Sequence, residues 1–349
     1  MTNRYVESFD TYATLSQRWL SQPGFTGSAT LGAVAARTGA QGLAIVNPNL
    51  ANVWLHAPPD LPAKVAYIFG FAFKPTQLPG VVNSPLATTI DSITHQGSLG
   101  VTSAGALVLY RGNLGTGALV ATSVRTVAVG TWYYVEFRHL VDPAAGLLEV
   151  RVDGTVWATI GGNTQASANS IITTLGYGGL SGAGAGNRLN FYTDDVYVND
   201  TGGVINNDYW GNTLVAGLVP NGPGFYTEFT TLVGAGTQWQ ATSEIPPDED
   251  VSYIASPTTN QRSTFTFGNL PVRSALVRSV LVGIRAREEA AGAGAVARLY
   301  RAGGDNQGAD LPVNESYDNQ IEILENEPIG GTPWSVGAVN GAEIGVRNR

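Results

Sequence analysis

The chain has 349 residues, no cysteine, 27 acidic against 19 basic side chains and a formal net charge of −8. The length allows one large domain or two ordinary ones with a real core, and the lack of cysteine excludes disulfides and thiolate metal sites and fits a reducing compartment. An acidic chain whose only lysines are Lys64 and Lys74 offers no phosphate-tracking surface, so no nucleic-acid partner is expected. No run reaches the roughly 18 apolar residues of a membrane span, and the opening MTNRYVESFD lacks the apolar stretch of a secretory signal.

With 44 Gly, 18 Pro and only 13% charged residues, the composition is that of a nearly all-β protein; helices would need more Glu, Lys and Leu in 3.6-residue periods. In chain order, GLAIV (42–46) reads as a short strand ended by NPN. VAYIFGFAFKP (65–75) alternates strictly, with Tyr67, Phe69, Phe71 and Phe73 on one face and Ala66, Ile68, Gly70 and Ala72 on the other. Neither face carries charge, so both are expected to be covered. GALVLYRG (105–112) and GALVATSV (117–124) follow as strands. In GTWYYVEFRHLVDPAAGLLEVRVDG (130–154), Tyr133, Val135 and Phe137 share one face and Tyr134, Glu136 and Arg138 the other. On the return strand Val150 and Val152 point inward, opposite Glu149, Arg151 and Asp153. Asp153-Gly154 then supplies the positive φ of a tight turn. The glycine-rich GYGGLSGAGAG (176–186) reads as a loop and lacks the ending of a phosphate-binding loop. NRLNFYTDDVYVND (187–200) is another alternating strand. After about residue 203 the pattern restarts as a second, smaller β-domain (204–349), which closes on a short helical turn and a last strand in WSVGAVNGAEIGV.

The stretch 130–154, with YTDDVYV (192–198) and ESFD (7–10), resembles the concanavalin A-like, laminin-G-type jelly roll over residues 1–203. The resemblance implies an antiparallel jelly-roll sandwich, followed here by a second β-sandwich. ESFDTY, RTGAQGLAI, FGFAFKPT and YTDDVYVND, followed by QWQATSEIPPDEDVSYIAS and PWSVGAVNGAEIGV, are similar in pattern and order to a group of two-domain bacteriophage virion proteins. That resemblance implies a structural component of the head or tail, made in the host cytoplasm and present in many copies beside other virion proteins, as a homo-oligomer.

Glu149-x-Arg151-x-Asp153 is spaced like the Glu-x-Asp-x-Glu of glucanases sharing the jelly roll, but the middle carboxylate has become arginine. Four strand residues span about 13 Å, whereas a retaining pair needs its carboxyls roughly 5.5 Å apart. The expected reading is a charge ladder, with Glu136 and Arg138 beside Glu149 and Arg151 on a solvated face. A glycan-binding face would draw on Tyr134, Glu136, Arg138 and Arg151, with Trp54 of the loop NVWLHAPPD as a stacking residue. Some jelly rolls of this type hold a structural Ca²⁺, for which Asp10 and Asp194 are the matching carboxylates. PPDEDVSY reads as a solvated acidic turn. The three histidines (56, 95, 139) lack zinc spacing. The leading expectation is a non-enzymatic virion protein without a required cofactor. The alternative is a protein recognising host surface polysaccharide, and third comes a divergent glycoside hydrolase.

Overall fold

The alternation read from the sequence becomes twenty-four strands in the computed structural model, which describes residues 3–21, 28–46, 53–56, 61–80, 83–179, 188–271, 276–289 and 294–349. The contacts divide the chain into two units, one ending at Val215 and the other running Ala216–Arg349 and taking in Thr11–Ala13.

The first unit contains β1 (Asn3–Glu7), β2 (Leu20–Ser21), β3 (Ser28–Gly32), β4 (Gly42–Val46), β5 (Val53–His56), β6 (Ala66–Gln77), β7 (Ser84–Asp91), β8 (Thr94–Val101), β9 (Ala106–Arg111), β10 (Ala118–Thr126), β11 (Tyr133–Leu140), β12 (Gly146–Val152), β13 (Thr155–Gly162), β14 (Thr174–Gly179) and β15 (Asn190–Asp200). One antiparallel sheet runs β13-β12-β11-β6-β15-β4-β3, with β1 also on β15, and the other runs β10-β9-β8-β7-β14-β5-β2. They face each other as a sandwich. Tyr177 of the second sheet meets Phe69 and Phe71 of the first at ring separations of 5.1 and 5.0 Å, and Trp19 stacks on Tyr177 at 5.9 Å. This is a jelly-roll-type sandwich with an aromatic core.

His139 of β11 lies wholly inside this core. Its Nε2 donates to the Thr164 carbonyl at 3.2 Å, which leaves Nδ1 to accept from the Thr89 hydroxyl at 2.7 Å.

Strand β6 is buried on both faces, as its uncharged alternation predicts. The expected charge ladder is corrected, however. The register sets Glu136 opposite Arg151 and Arg138 opposite Glu149, but the chain after β15 returns over this face and partly covers it, burying Glu136 and leaving the other three half-buried. Trp210 stacks on Tyr197 at 4.5 Å, and the Arg151 guanidinium lies 3.8 Å from the Tyr209 ring centre. Glu136 is fully buried and accepts from the Tyr197 hydroxyl and from Gly211 N. Gly70 permits the cover: a Cβ there would overlap the Tyr197 ring. The segment 176–186 is also corrected, since Gly176–Gly179 finish β14; residues 180–187 lie outside the described residues.

The second unit adds β16 (Pro220–Thr227), β17 (Thr231–Val233), β18 (Tyr253–Ala255), β19 (Arg262–Phe267), β20 (Val280–Ala286), β21 (Ala295–Arg301), β22 (Asp305–Pro312), β23 (Asp318–Leu324), α1 (Val336–Asn340) and β24 (Glu343–Asn348). A five-stranded sheet runs β16-β19-β24-β21-β22, beside the pairs β17-β18 and β20-β23. Val282 and Leu324 of the β20-β23 pair pack with Tyr300 of β21, Trp334 and Ala342. The Ser335 hydroxyl caps α1 by accepting from Ala338 N at 3.0 Å. The acidic turn at 246–250 is ion-paired, with Glu249 on Arg285 of β20 and Asp250 on Arg287 just past the strand's end.

Two outcomes follow. Gly70→Ala should destabilise the first unit by about 1–3 kcal/mol through overpacking, read as a lower urea midpoint. The second concerns pH. Burial lowers the His139 pKa to about 3 and that of His95 to about 4, from 6.5 for an ordinary imidazole. The unfolded chain therefore binds these protons first as pH falls. The stability tied to their neutral forms is complete above about pH 6.5 and is lost between there and pH 3–4. The melting temperature should fall across that window, and less steeply in His139→Gln.

Candidate functional site

The residues expected to bind glycan are spoken for by the fold. Tyr134 is fully buried, with its hydroxyl donating to the Asp195 carbonyl at 2.9 Å; burial raises its pKa well above the usual phenol value. Arg151 donates to Glu149 at 2.8 Å, and Glu149 also accepts from the Tyr209 hydroxyl at 2.8 Å. Arg138 lies 3.9 Å from Asp208 of the covering segment. Asp153 turns the hairpin at φ 49 and accepts from Tyr134 N at 3.0 Å. Trp54 stands on strand β5 rather than in a loop, and its side chain lies outside the described residues.

The two carboxylates matched to calcium hold one loop. Asp10 accepts from Ala40 N and Gln41 N at 2.7 and 3.0 Å, and Asp194 from Arg37 N and Thr38 N at 2.8 and 3.2 Å. Burial, and next the neighbouring Asp195 charge, push the Asp194 pKa up to about 8 against these donors. Asp195 pairs with Arg37 at 2.9 Å. Carboxylate oxygens facing N–H groups make a loop clamp, not the all-oxygen shell calcium requires. Among the described residues no group of three or more His, Cys, Asp or Glu side chains is placed to hold a metal.

An open cleft forms elsewhere on the first unit, from three segments distant in sequence. It is lined by Ile93–His95 at the start of β8, by Arg111–Asn113 and Thr116–Ala118 of the β9–β10 turn, and by Asn163, Gln165 and Ala166 beyond β13. Its volume is about 730 Å³. Each wall is fixed by identifiable bonds. The β9–β10 turn starts at Gly112 (φ +86) and ends at Gly117, where a Cβ would overlap the Arg111 and Asn113 carbonyl oxygens. Between them Leu114 is buried over Gly100 of β8, and Ser98 Oγ holds the Gly112 carbonyl at 2.8 Å.

The far wall hangs on Gln96, which is fully buried on β8. Its Oε1 accepts from Ala166 N and Ser167 N at 2.8 and 3.1 Å. Its Nε2 lies 2.8 Å from Ser167 Oγ, 2.6 Å from the Asn169 carbonyl and 3.1 Å from the Ile171 carbonyl. Asp91 adds bonds to Ser167 Oγ and Asn169 Nδ2 at 2.7 and 3.0 Å. The walls of the cleft are thus held by bonds within the chain, and its lining is more polar than apolar, with Arg111 its one fixed charge among the described residues. The cleft is not announced in the sequence: YRG and GA read as the ends of the strands at 105–112 and 117–124, and GGNTQASANS carries no motif. The available signal was an arginine beside two Asn-containing turns.

Gln96→Ala removes the partner of the Ala166 and Ser167 N–H groups and all the bonds made by the Gln96 amide nitrogen, and should cost on the order of 2–3 kcal/mol. Limited proteolysis should then cut within 165–171, where the wild-type chain resists.

No family model and no curated protein matches this sequence. Solved structures do match it. The endo-β-1,4-glucuronan lyase of the fungus Trichoderma reesei aligns at 12% identity and a TM-score of 0.43, covering 56% of this chain and 95% of the lyase. Alginate lyase vAL-1 from Chlorella virus aligns at 10% identity and a TM-score of 0.39, covering 56% of this chain and 98% of its own. The carbohydrate-binding module CBM66 from Bacillus subtilis aligns at 9% identity and a TM-score of 0.36, covering 53% and 96%. The expectation of a non-enzymatic virion structural protein is corrected to this extent: none of these three is a virion structural protein, two being polysaccharide lyases and one a carbohydrate-binding module. At such identities the likeness is one of fold, a β-sandwich.

Proposed function

We propose that the protein recognises a polysaccharide through the cleft between the start of β8, the β9–β10 turn and the segment after β13. The observation that carries this reading is the character of the walls: an open trough of about 730 Å³ that offers amides, hydroxyls, backbone and the Arg111 guanidinium, with Ile93 as the one large aliphatic side chain among the described lining residues. An apolar ligand would leave these groups without partners, at a cost for each. Sugar rings present a hydroxyl for nearly every carbon and can match them. The turns are already held by buried bonds, so little ordering is needed on binding. An open trough also admits the middle of a long chain as readily as its end. The host-recognition reading of the sequence assigns that polysaccharide to a bacterial surface.

The test is a polysaccharide array probed with the whole chain and with Ala118→Trp, which fills the trough from an exposed position on β10. Binding to a subset of polysaccharides, lost in the variant with no change in melting temperature, is the expected result. Equal binding by the variant would remove the cleft from consideration, and an array with no signal would overturn the function. The same mixtures, assayed for new reducing ends and unsaturated ends, show whether a bound chain is also cut.

A further inference from the structure

We infer that the sugar unit this cleft selects is anionic, its carboxylate or sulfate ester held by Arg111. This rests on the reading of the cleft as a polysaccharide site. Two independent features of the walls carry it.

The first is an arginine left without a counter-charge. Arg4, Arg37, Arg151, Arg262, Arg298 and Arg301 are each held by a carboxylate. Arg111, half-buried at the end of β9, forms no ion pair or side-chain hydrogen bond among the described residues. Among the described residues no Asp or Glu lines the cleft. In a chain of net charge −8 the distant field works against an anion. Screening removes most of that field beyond roughly 8–10 Å in ordinary salt. The guanidinium inside the cleft then dominates, and its planar fork suits two oxygens of one anionic group. His95 adds no second charge near neutral pH, because burial keeps its imidazole neutral down to about pH 4.

The second feature is the direction of the amides. Asn113 Oδ1 is used by its own turn, accepting from Gly115 N at 2.6 Å, and Asn163 Oδ1 accepts from Gln165 N at 3.1 Å. With both oxygens committed, the two Nδ2 groups are the ends that remain, and neither donates to another group among the described residues. The cleft therefore offers one cation and two amide donors, a set matched to an acceptor-rich anionic sugar.

The experiment is titration calorimetry of the full chain at low salt with three hexasaccharides: oligogalacturonate, a sulfated galactan and a neutral galactan. An acidic oligosaccharide should bind at least about tenfold more tightly than the neutral one, the worth of one charge-assisted bond, and the gap should close in about 0.5 M salt. The uronate and sulfate arms identify which anion is preferred. Arg111→Gln should bring the acidic ligand down to the affinity of the neutral one, and Asn163→Asp, at an exposed position, should abolish acidic binding by repulsion. Neutral galactan binding as tightly as either acidic ligand, or acidic binding unchanged in Arg111→Gln, would overturn the inference and leave the polysaccharide site standing. No binding of any of the three, together with a blank polysaccharide array, would overturn both.

Discussion

Gln96 stands on a central strand with no water beside it, so every bond its carboxamide can make has to be found within the chain. It finds them in a single loop. Two backbone N–H groups meet its oxygen, and a hydroxyl and two carbonyls surround its nitrogen. An irregular segment without secondary structure is thereby held almost as firmly as a strand. The cleft depends on that: without Gln96 the wall carrying Asn163 and Gln165 would be an ordinary surface loop. Its donors would then have to be ordered at the moment of binding, at roughly 0.5–1.5 kcal/mol for each immobilised side chain.

The same accounting explains why the opposite sheet face is closed. Tyr134, Glu136, Arg138, Glu149 and Arg151 form an alternating polar row that would be stable in water. Polar residues at period two are therefore read as exposed. What decides the matter is chain that comes later. Tyr209 and Trp210 carry enough apolar area to make covering the face favourable. Tyr197, resting against Gly70, gives Trp210 a flat surface to stack on. The two carboxylates beneath are then bonded from above, Glu136 by Gly211 N and Glu149 by the Tyr209 hydroxyl. An aromatic pair after a strand end, as in NNDYWGN, is the local sign that a polar face is about to be covered.

The fold was legible because it is written locally. Two-residue alternation in β6, β11 and β12, the Asp153-Gly154 turn and the terminal Ser-capped helical turn each depend on neighbours within a few residues. The candidate site was not legible, for the complementary reason. Its residues come from positions near 94, 112 and 164, and nothing in any one of these segments names the other two. Asp10 and Asp194 show the same limit: their residue type suggested a metal, but which atoms face a carboxylate is set by the loop at 37–41, far from both in sequence.

Charge distribution ties the two faces together. The covered face consumes arginines, since Arg37, Arg138 and Arg151 are each committed to a carboxylate or an aromatic ring at the seam. Arg111 lies outside that network because the turn following it, closed by Gly112 and Gly117, contains no acid. Adding one would be a small change in sequence but a large one in chemistry. A carboxylate at the Asn113 position would neutralise Arg111 and turn the cleft from an acceptor of anions into one more surface ion pair, worth little to stability. The turn's neutrality therefore contributes nothing to the fold; its physical consequence is a guanidinium left available to a ligand.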